Sequence, residues 1–232
     1  MTRALGTLAV AVALAAVASP AATAVPARHG VSVGGVVTSD GDALLAGIPQ
    51  DGVLLGDPRA RVRLVLWEDL GCPHCLDLMR RGFPTLVKRY VRTGRIALEF
   101  RGVGIIRPGS RPALLYVLAA GRQDRLWDLA ARFYAQQDAL ELVATEVGVR
   151  RLARGIPRLD VARLLRDARS PAIARQADAT LAQARRLGIP GTPSFGVRVD
   201  GGKVRPAVPT GLGGAAMTQL SEAALDLVGP KA

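Results

Sequence analysis

The sequence predicts an α/β fold in which an inserted helical subdomain interrupts the alternation of strands and helices. Three observations carry that prediction: a strand, a helix and a strand in quick succession between residues 61 and 101, an almost wholly helical pattern from 112 to 187, and a return to strand patterns after Gly188. The chain has 232 residues, enough for one well-buried core. With 49% hydrophobic and 22% charged residues, it has the composition of an ordered globular protein.

The first residues, MTRALGTLAVAVALAAVASPAATA, place Arg3 ahead of an uninterrupted weakly polar to apolar run from Ala4 to Ala18, then Pro20 and Ala22-Thr23-Ala24. This is the pattern of a secretory signal peptide spanning residues 1–24 and cut after Ala24. The alternative, an uncleaved anchor, meets a run near the short end of the about 17 to 25 residues that span a bilayer. Export matters chemically, because disulfides persist in oxidising compartments and are rare in the cytosol. Residues 25–47, rich in Gly, Ser, Val and Ala, read as a linker or N-terminal arm with one short strand at 33–38. The folded domain is expected over 48–229, with its helical insertion at about 107–187.

Within that domain, Arg61 to Trp67 (RVRLVLW) alternates at its start and then runs almost continuously apolar, as a buried central strand does. From Pro73 the residues Cys75, Leu76, Met79, Phe83, Leu86, Val87 and Tyr90 keep helical spacing, with Gly82 and Pro84 interrupting the helix. Arg95 to Arg101 (RIALEFR) alternates again, completing a right-handed βαβ unit with parallel strands. Pro112 to Leu187 holds more helix than a simple crossover needs, and Leu126, Trp127, Ala130, Phe133 and Tyr134 share one helical face. Ser194 to Val199, a turn at Asp200-Gly201-Gly202 and Val204 to Val208 read as a hairpin. Pro206 and Pro209 restrict its second arm to a sheet edge. An amphipathic helix is predicted from about Ala215 to Val228.

Both cysteines of the chain lie in Gly71-Cys72-Pro73-His74-Cys75, at the start of the first helix. A structural staple closing so short a loop constrains the unfolded chain little. A zinc site needs three or four protein ligands and this pair supplies two, while a haem attachment needs His where Leu76 stands. Thiol-disulfide exchange needs one stabilised, exposed thiolate with a second sulfur one turn away, and Cys72 and Cys75 meet that requirement. Unpaired N–H groups and the positive end of the helix dipole favour a thiolate at Cys72, and Pro73 suits the first helical position. A protonated His74 adds positive charge close to the sulfur. No cofactor and no metal are implied.

Gly71-Cys72-Pro73-His74-Cys75 after an apolar strand, together with GIPGTPSFGV at 188–197 after a long helical stretch, resembles the DsbA-like branch of the thioredoxin superfamily. The resemblance implies a thioredoxin fold and a thiol-disulfide oxidoreductase that donates a disulfide to unfolded or reduced exported proteins. It further implies that Thr192 and Pro193 form a cis-peptide loop facing the sulfurs and binding the substrate strand, while Ile189-Pro190 stays trans. Relatives commonly bury an acidic residue six positions before the first cysteine, where this chain has Leu66. Glu68 and Asp69, after the strand, are the candidates for proton transfer through water, or are ordinary polar residues at the rim of the site. A reductase or isomerase of the same fold, and a redox-inert binding module of the envelope, are the alternatives. With no further cysteine in the sequence, reoxidation calls for a separate redox partner, expected in the membrane, and the protein is expected to be a monomer.

The net charge is +12, and removal of Arg3 with the signal peptide leaves 12 − 1 = +11. All but three of the 31 basic residues are arginine, spread along the chain and without the interleaved aromatics that stack nucleic-acid bases. Solvated helix faces account for this charge, and no nucleic-acid partner is expected.

Overall fold

The computed structural model describes residues 40–229; the expected signal peptide and the short strand at 33–38 lie outside the described residues. The central feature is a six-stranded mixed sheet in the order β1-β2-β4-β3-β5-β6. It comprises β1 (Gln50–Asp51), β2 (Leu54–Leu55), β3 (Val62–Glu68), β4 (Ile96–Gly102), β5 (Ser194–Val199) and β6 (Arg205–Ala207). Strands β3 and β4 are parallel, with Leu64 opposite Leu98, and β5 runs antiparallel to β3 with Leu66 opposite Phe195. The sheet's second half thus enters by the hairpin that the turn residues predicted, with Pro206 on the edge strand β6.

The near-continuous apolar run of β3 reflects burial on both faces. Leu64 and Leu66 face the main core, with Leu98, Phe100, Phe195 and Val197, whereas Val65 and Trp67 pack with Val103 and Ala184 on the other side. Between β3 and β4 the chain forms α2 (Pro73–Arg81), α3 (Phe83–Leu86) and a π-helical turn (Val87–Val91). The break at Gly82 is enforced by contact: a Cβ there would meet Leu212 O and come within 2.7 Å of Met217 Cγ.

The insertion comprises α4 (Ser110–Gly121), α5 (Leu126–Ala135), a 3-10 turn (Gln137–Ala139), α6 (Leu140–Val143), α7 (Glu146–Ala153), α8 (Val161–Ala168) and α9 (Pro171–Arg186). Thr145, Asp160 and Ser170 cap α7, α8 and α9 through their side-chain oxygens. Trp127 of α5 joins the insertion to the sheet. It is 1% exposed, stacks on Phe83 at 5.6 Å, meets Phe100 edge-on at 5.8 Å and donates its indole N–H to Val53 O. The last helix, α10 (Gly214–Asp226), packs Met217 and Leu220 into the same core.

The sequence reading missed three elements, β1, β2 and α1 (Asp40–Leu45). The helix falls inside the segment read as linker or arm, yet Leu45 is buried and Arg132 of α5 pairs with Asp42 at 2.9 Å. Two strands of two residues and a helix of six are too short to show a period.

Candidate functional site

β3 delivers Glu68 and then Asp69 to the loop that begins α2. Here the sequence expectation needs correcting, because neither acid lies at a rim: Glu68 is the last residue of the strand and 0% exposed, and Asp69 is 1% exposed. The Asp69 carboxylate is occupied by main-chain donors. Oδ1 accepts from Gly71 N–H at 2.8 Å, and Oδ2 accepts from Ile105 and Ile106 N–H at 2.6 and 3.0 Å. Asp69 therefore ties the cysteine loop to the loop after β4. Gly71 fits into this junction, where a Cβ would lie 2.5 Å from Ser110 Oγ and 3.1 Å from Arg107 Cβ.

Cys72 is the N-cap of α2 in an extended conformation, with Pro73 at the first helical position. It is 4% exposed, so the thiol expected to be open to solvent is largely covered, and Cys75 is 0% exposed. The two sulfurs are unbonded. Pro73 and His74 are exposed on the first turn. Across the site the Thr192–Pro193 peptide is cis, and Thr192 O accepts from Cys72 Sγ at 3.2 Å. Among the described residues the buried Thr192 hydroxyl has no hydrogen-bond partner.

These contacts separate the two thiols electrostatically. The Cys72 thiol is lowered from 9.0 to about 5, first by the hydrogen bond from Cys75, then by Thr192 and the main-chain N–H groups of Cys75 and His74, against an opposing effect of burial. His74 thus acts on Cys72 through its backbone. Burial is the main reason the Cys75 thiol is pushed far up, with the bond to Cys72 and the charge of Glu68 adding to it. The Glu68 carboxyl is itself raised by burial to about 8, despite the hydrogen bond from Tyr134, and the charge of Cys72 adds to the rise. A low-pKa thiolate at the helix N-terminus, a high-pKa thiol behind it and a carboxyl titrating near neutrality are a set of groups suited to thiol exchange.

Two residues of this constellation escaped sequence reading, and both come from the insertion. Tyr134 O–H donates to Glu68 Oε2 at 3.0 Å, and Gln137 Nε2 donates to the carbonyls of Leu70 and Cys72 at 2.8 and 3.1 Å. Tyr134 lies 66 residues from Glu68 and Gln137 lies 65 from Cys72, so no local spacing could have linked them. Among the described residues, no group of three or more His, Cys, Asp or Glu side chains is placed to hold a metal ion.

Residues 49–213 match the family model described as Thioredoxin. A relative from Bacillus anthracis, "Probable disulfide bond formation protein D", is 26% identical over 156 residues, covering 66% of this chain and 71% of its own length. Among solved structures, BdbD from Bacillus subtilis superposes with a TM-score of 0.63 at 22% identity, covering 77% of this chain and 97% of its own. The α-DsbA1 protein of Wolbachia pipientis gives a TM-score of 0.59 at 19% identity, covering 82% of this chain and all of its own. Both show the fold.

Proposed function

The chain belongs to the thioredoxin family, and we propose that it is a DsbA-like, exported thiol-disulfide oxidoreductase donating the Cys72–Cys75 disulfide to substrate proteins. The observation that carries this reading is the opposite displacement of two thiols one helical turn apart, Cys72 down to about 5 and Cys75 far up.

In the oxidised pair a substrate thiolate attacks Cys72 Sγ. A substrate–Cys72 bond forms, the Cys72–Cys75 bond breaks, and the electron pair leaves on Cys75. A thiolate is strongly disfavoured at that buried position, so Cys75 takes up a proton, and the neutral carboxyl of Glu68 is the neighbouring acid that supplies it. A second substrate thiolate then attacks the substrate sulfur and releases Cys72 as its stabilised thiolate. The substrate loses two electrons and two protons, and the enzyme ends reduced, with Cys75 a thiol, Cys72 a thiolate, Glu68 reprotonated from water and the second proton in solvent. Because the free Cys72 thiolate is stabilised, release in this direction is downhill. Thr192, whose carbonyl accepts from Cys72, forms with Pro193 the edge on which an extended substrate segment would lie.

The pair holds the only cysteines in the sequence, so the electrons must pass to a separate redox partner. The substrates are reduced or unfolded exported proteins, in keeping with the N-terminal signal pattern. Among the described residues, no helix is long and apolar enough to cross a membrane. That the relative from Bacillus anthracis is a probable disulfide bond formation protein supports the donor direction over a reductase. The test is oxidation of a reduced, unfolded protein by the purified disulfide form, followed as loss of free thiols. Cys72→Ser is expected to abolish it, and retained oxidation by that variant would remove Cys72 from the role.

A further inference from the structure

We infer that Tyr134, contributed by the helical insertion, is a positioning residue for the Glu68 carboxyl and sets the pH at which Cys75 gives up its proton when the disulfide is re-formed. This inference rests on the proton-transfer reading of Glu68 given above. The geometry leaves Glu68 few partners. It is 0% exposed, its Oε2 accepts from Tyr134 O–H at 3.0 Å, and its buried Oε1 has no partner among the described residues.

The titratable groups facing Glu68 are Tyr134 from α5, Cys72 and Cys75 from α2, and the adjacent Asp69. Asp69 is engaged by three main-chain N–H groups, and among the described residues no arginine or lysine is paired with Glu68. The Tyr134 hydroxyl is therefore the side-chain donor on which the ionised carboxylate depends. Burial holds the Tyr134 phenol well above its ordinary range, so it remains a donor throughout. Tyr134 is 2% exposed within the main core, where a phenylalanine would fill the same space, so the apolar packing does not account for the hydroxyl.

The step concerned is closure of the enzyme's own disulfide. With Cys72 joined to an oxidant's sulfur, the Cys75 thiol passes its proton to the Glu68 carboxylate. The Cys75 thiolate attacks Cys72 Sγ, the Cys72–Cys75 bond forms, and the bond to the outgoing sulfur breaks, with the electron pair leaving on that sulfur. Cys75 is oxidised, the departing sulfur is reduced, and Glu68 later returns its proton to water. This step needs Glu68 ionised, whereas donation of the disulfide to substrate uses its neutral form. Losing the Tyr134 donor should slow the first and spare the second.

The test is release of glutathione from a preformed Cys72–glutathione mixed disulfide, measured from about pH 5 to 9 to bracket the Glu68 titration. In the unmodified protein the rate should rise to a plateau with a midpoint at or below about 8, since the Cys72 charge that helps raise Glu68 is absent from the mixed disulfide. Tyr134→Phe should move the midpoint up by about one pH unit, a roughly tenfold loss of rate below it, with the plateau unchanged. Site-specific 3,5-difluorotyrosine at position 134, a stronger donor of nearly the same shape, should move it down, and a merely structural residue would not respond in this way. Glu68→Gln should remove the inflection. If Glu68→Gln removes it while both Tyr134 replacements superimpose on the unmodified protein, the inference about Tyr134 is overturned and the Glu68 reading stands. If the inflection survives in Glu68→Gln, the reading falls and the inference with it.

Discussion

At the scale of single residues, the site is built from two displaced pKa values of opposite sign, and they make opposite contributions to stability. Cys72 has a folded pKa of about 5 against an ordinary 9.0, so its thiolate stabilises the reduced fold increasingly as pH rises from 5 to 9, and that gain is lost on acidification through 5. Glu68 has a folded pKa of about 8 against 4.5, so its contribution is complete below 4.5 and is lost as pH rises towards 8. In the reduced protein the two slopes oppose each other between about pH 5 and 8. Glu68→Gln removes one of them. Urea unfolding of that variant should show a gain over the parent that is absent near pH 4 and reaches roughly 3 kcal/mol at pH 7, because each pH unit above 4.5 costs the parent about 1.4 kcal/mol while Glu68 stays protonated in the fold. A variant no more stable than its parent at pH 7 would mean that Glu68 is not held neutral. The stabilised Cys72 thiolate was legible in the sequence, but the Glu68 shift was not: a Glu-Asp pair after an apolar strand reads as the start of a polar loop, and only the tertiary fold places both carboxyls inside.

At the scale of elements, what the sequence displayed plainly was periodicity. The strand at β3, the helix beginning at Cys72, the parallel partner β4 and the hairpin of β5 and β6 follow from alternation, helical spacing and turn residues, and the structure has each. The insertion was visible as a long helical stretch, but its attachment was not, because that depends on contacts between residues dozens of positions apart. Trp127 illustrates this: its helical face was predicted, whereas its ring contacts with Phe83 and Phe100 join α5 to α3 and β4. Trp127→Ala should therefore destabilise the whole fold by about 3–5 kcal/mol, seen as one cooperative unfolding transition at lower urea concentration. An early transition confined to the insertion would show that the two parts have separate cores. Since Tyr134 lies near the end of the same helix and Gln137 just beyond it, loosening α5 should also disturb the cysteine loop that Gln137 holds.

At the scale of the molecule, the thioredoxin sheet supplies the cysteine helix and the Thr192 loop, and the insertion supplies the polar contacts beneath them. The family resemblance read from Gly71-Cys72-Pro73-His74-Cys75 and the downstream Thr192-Pro193 agrees with the match over residues 49–213. On the basic surface, arginines such as Arg61, Arg95 and Arg150 sit in exposed ion pairs with Asp200, Glu222 and Glu146. On the proposed reading, stabilisation of the Cys72 thiolate favours the reduced form and makes the oxidised pair a disulfide donor. The most direct measurement is the equilibrium of the Cys72–Cys75 pair with reduced and oxidised glutathione at neutral pH. A reduction potential well above the about −270 mV of thioredoxin is expected. A value at or below that figure would contradict it and make the protein a reductase.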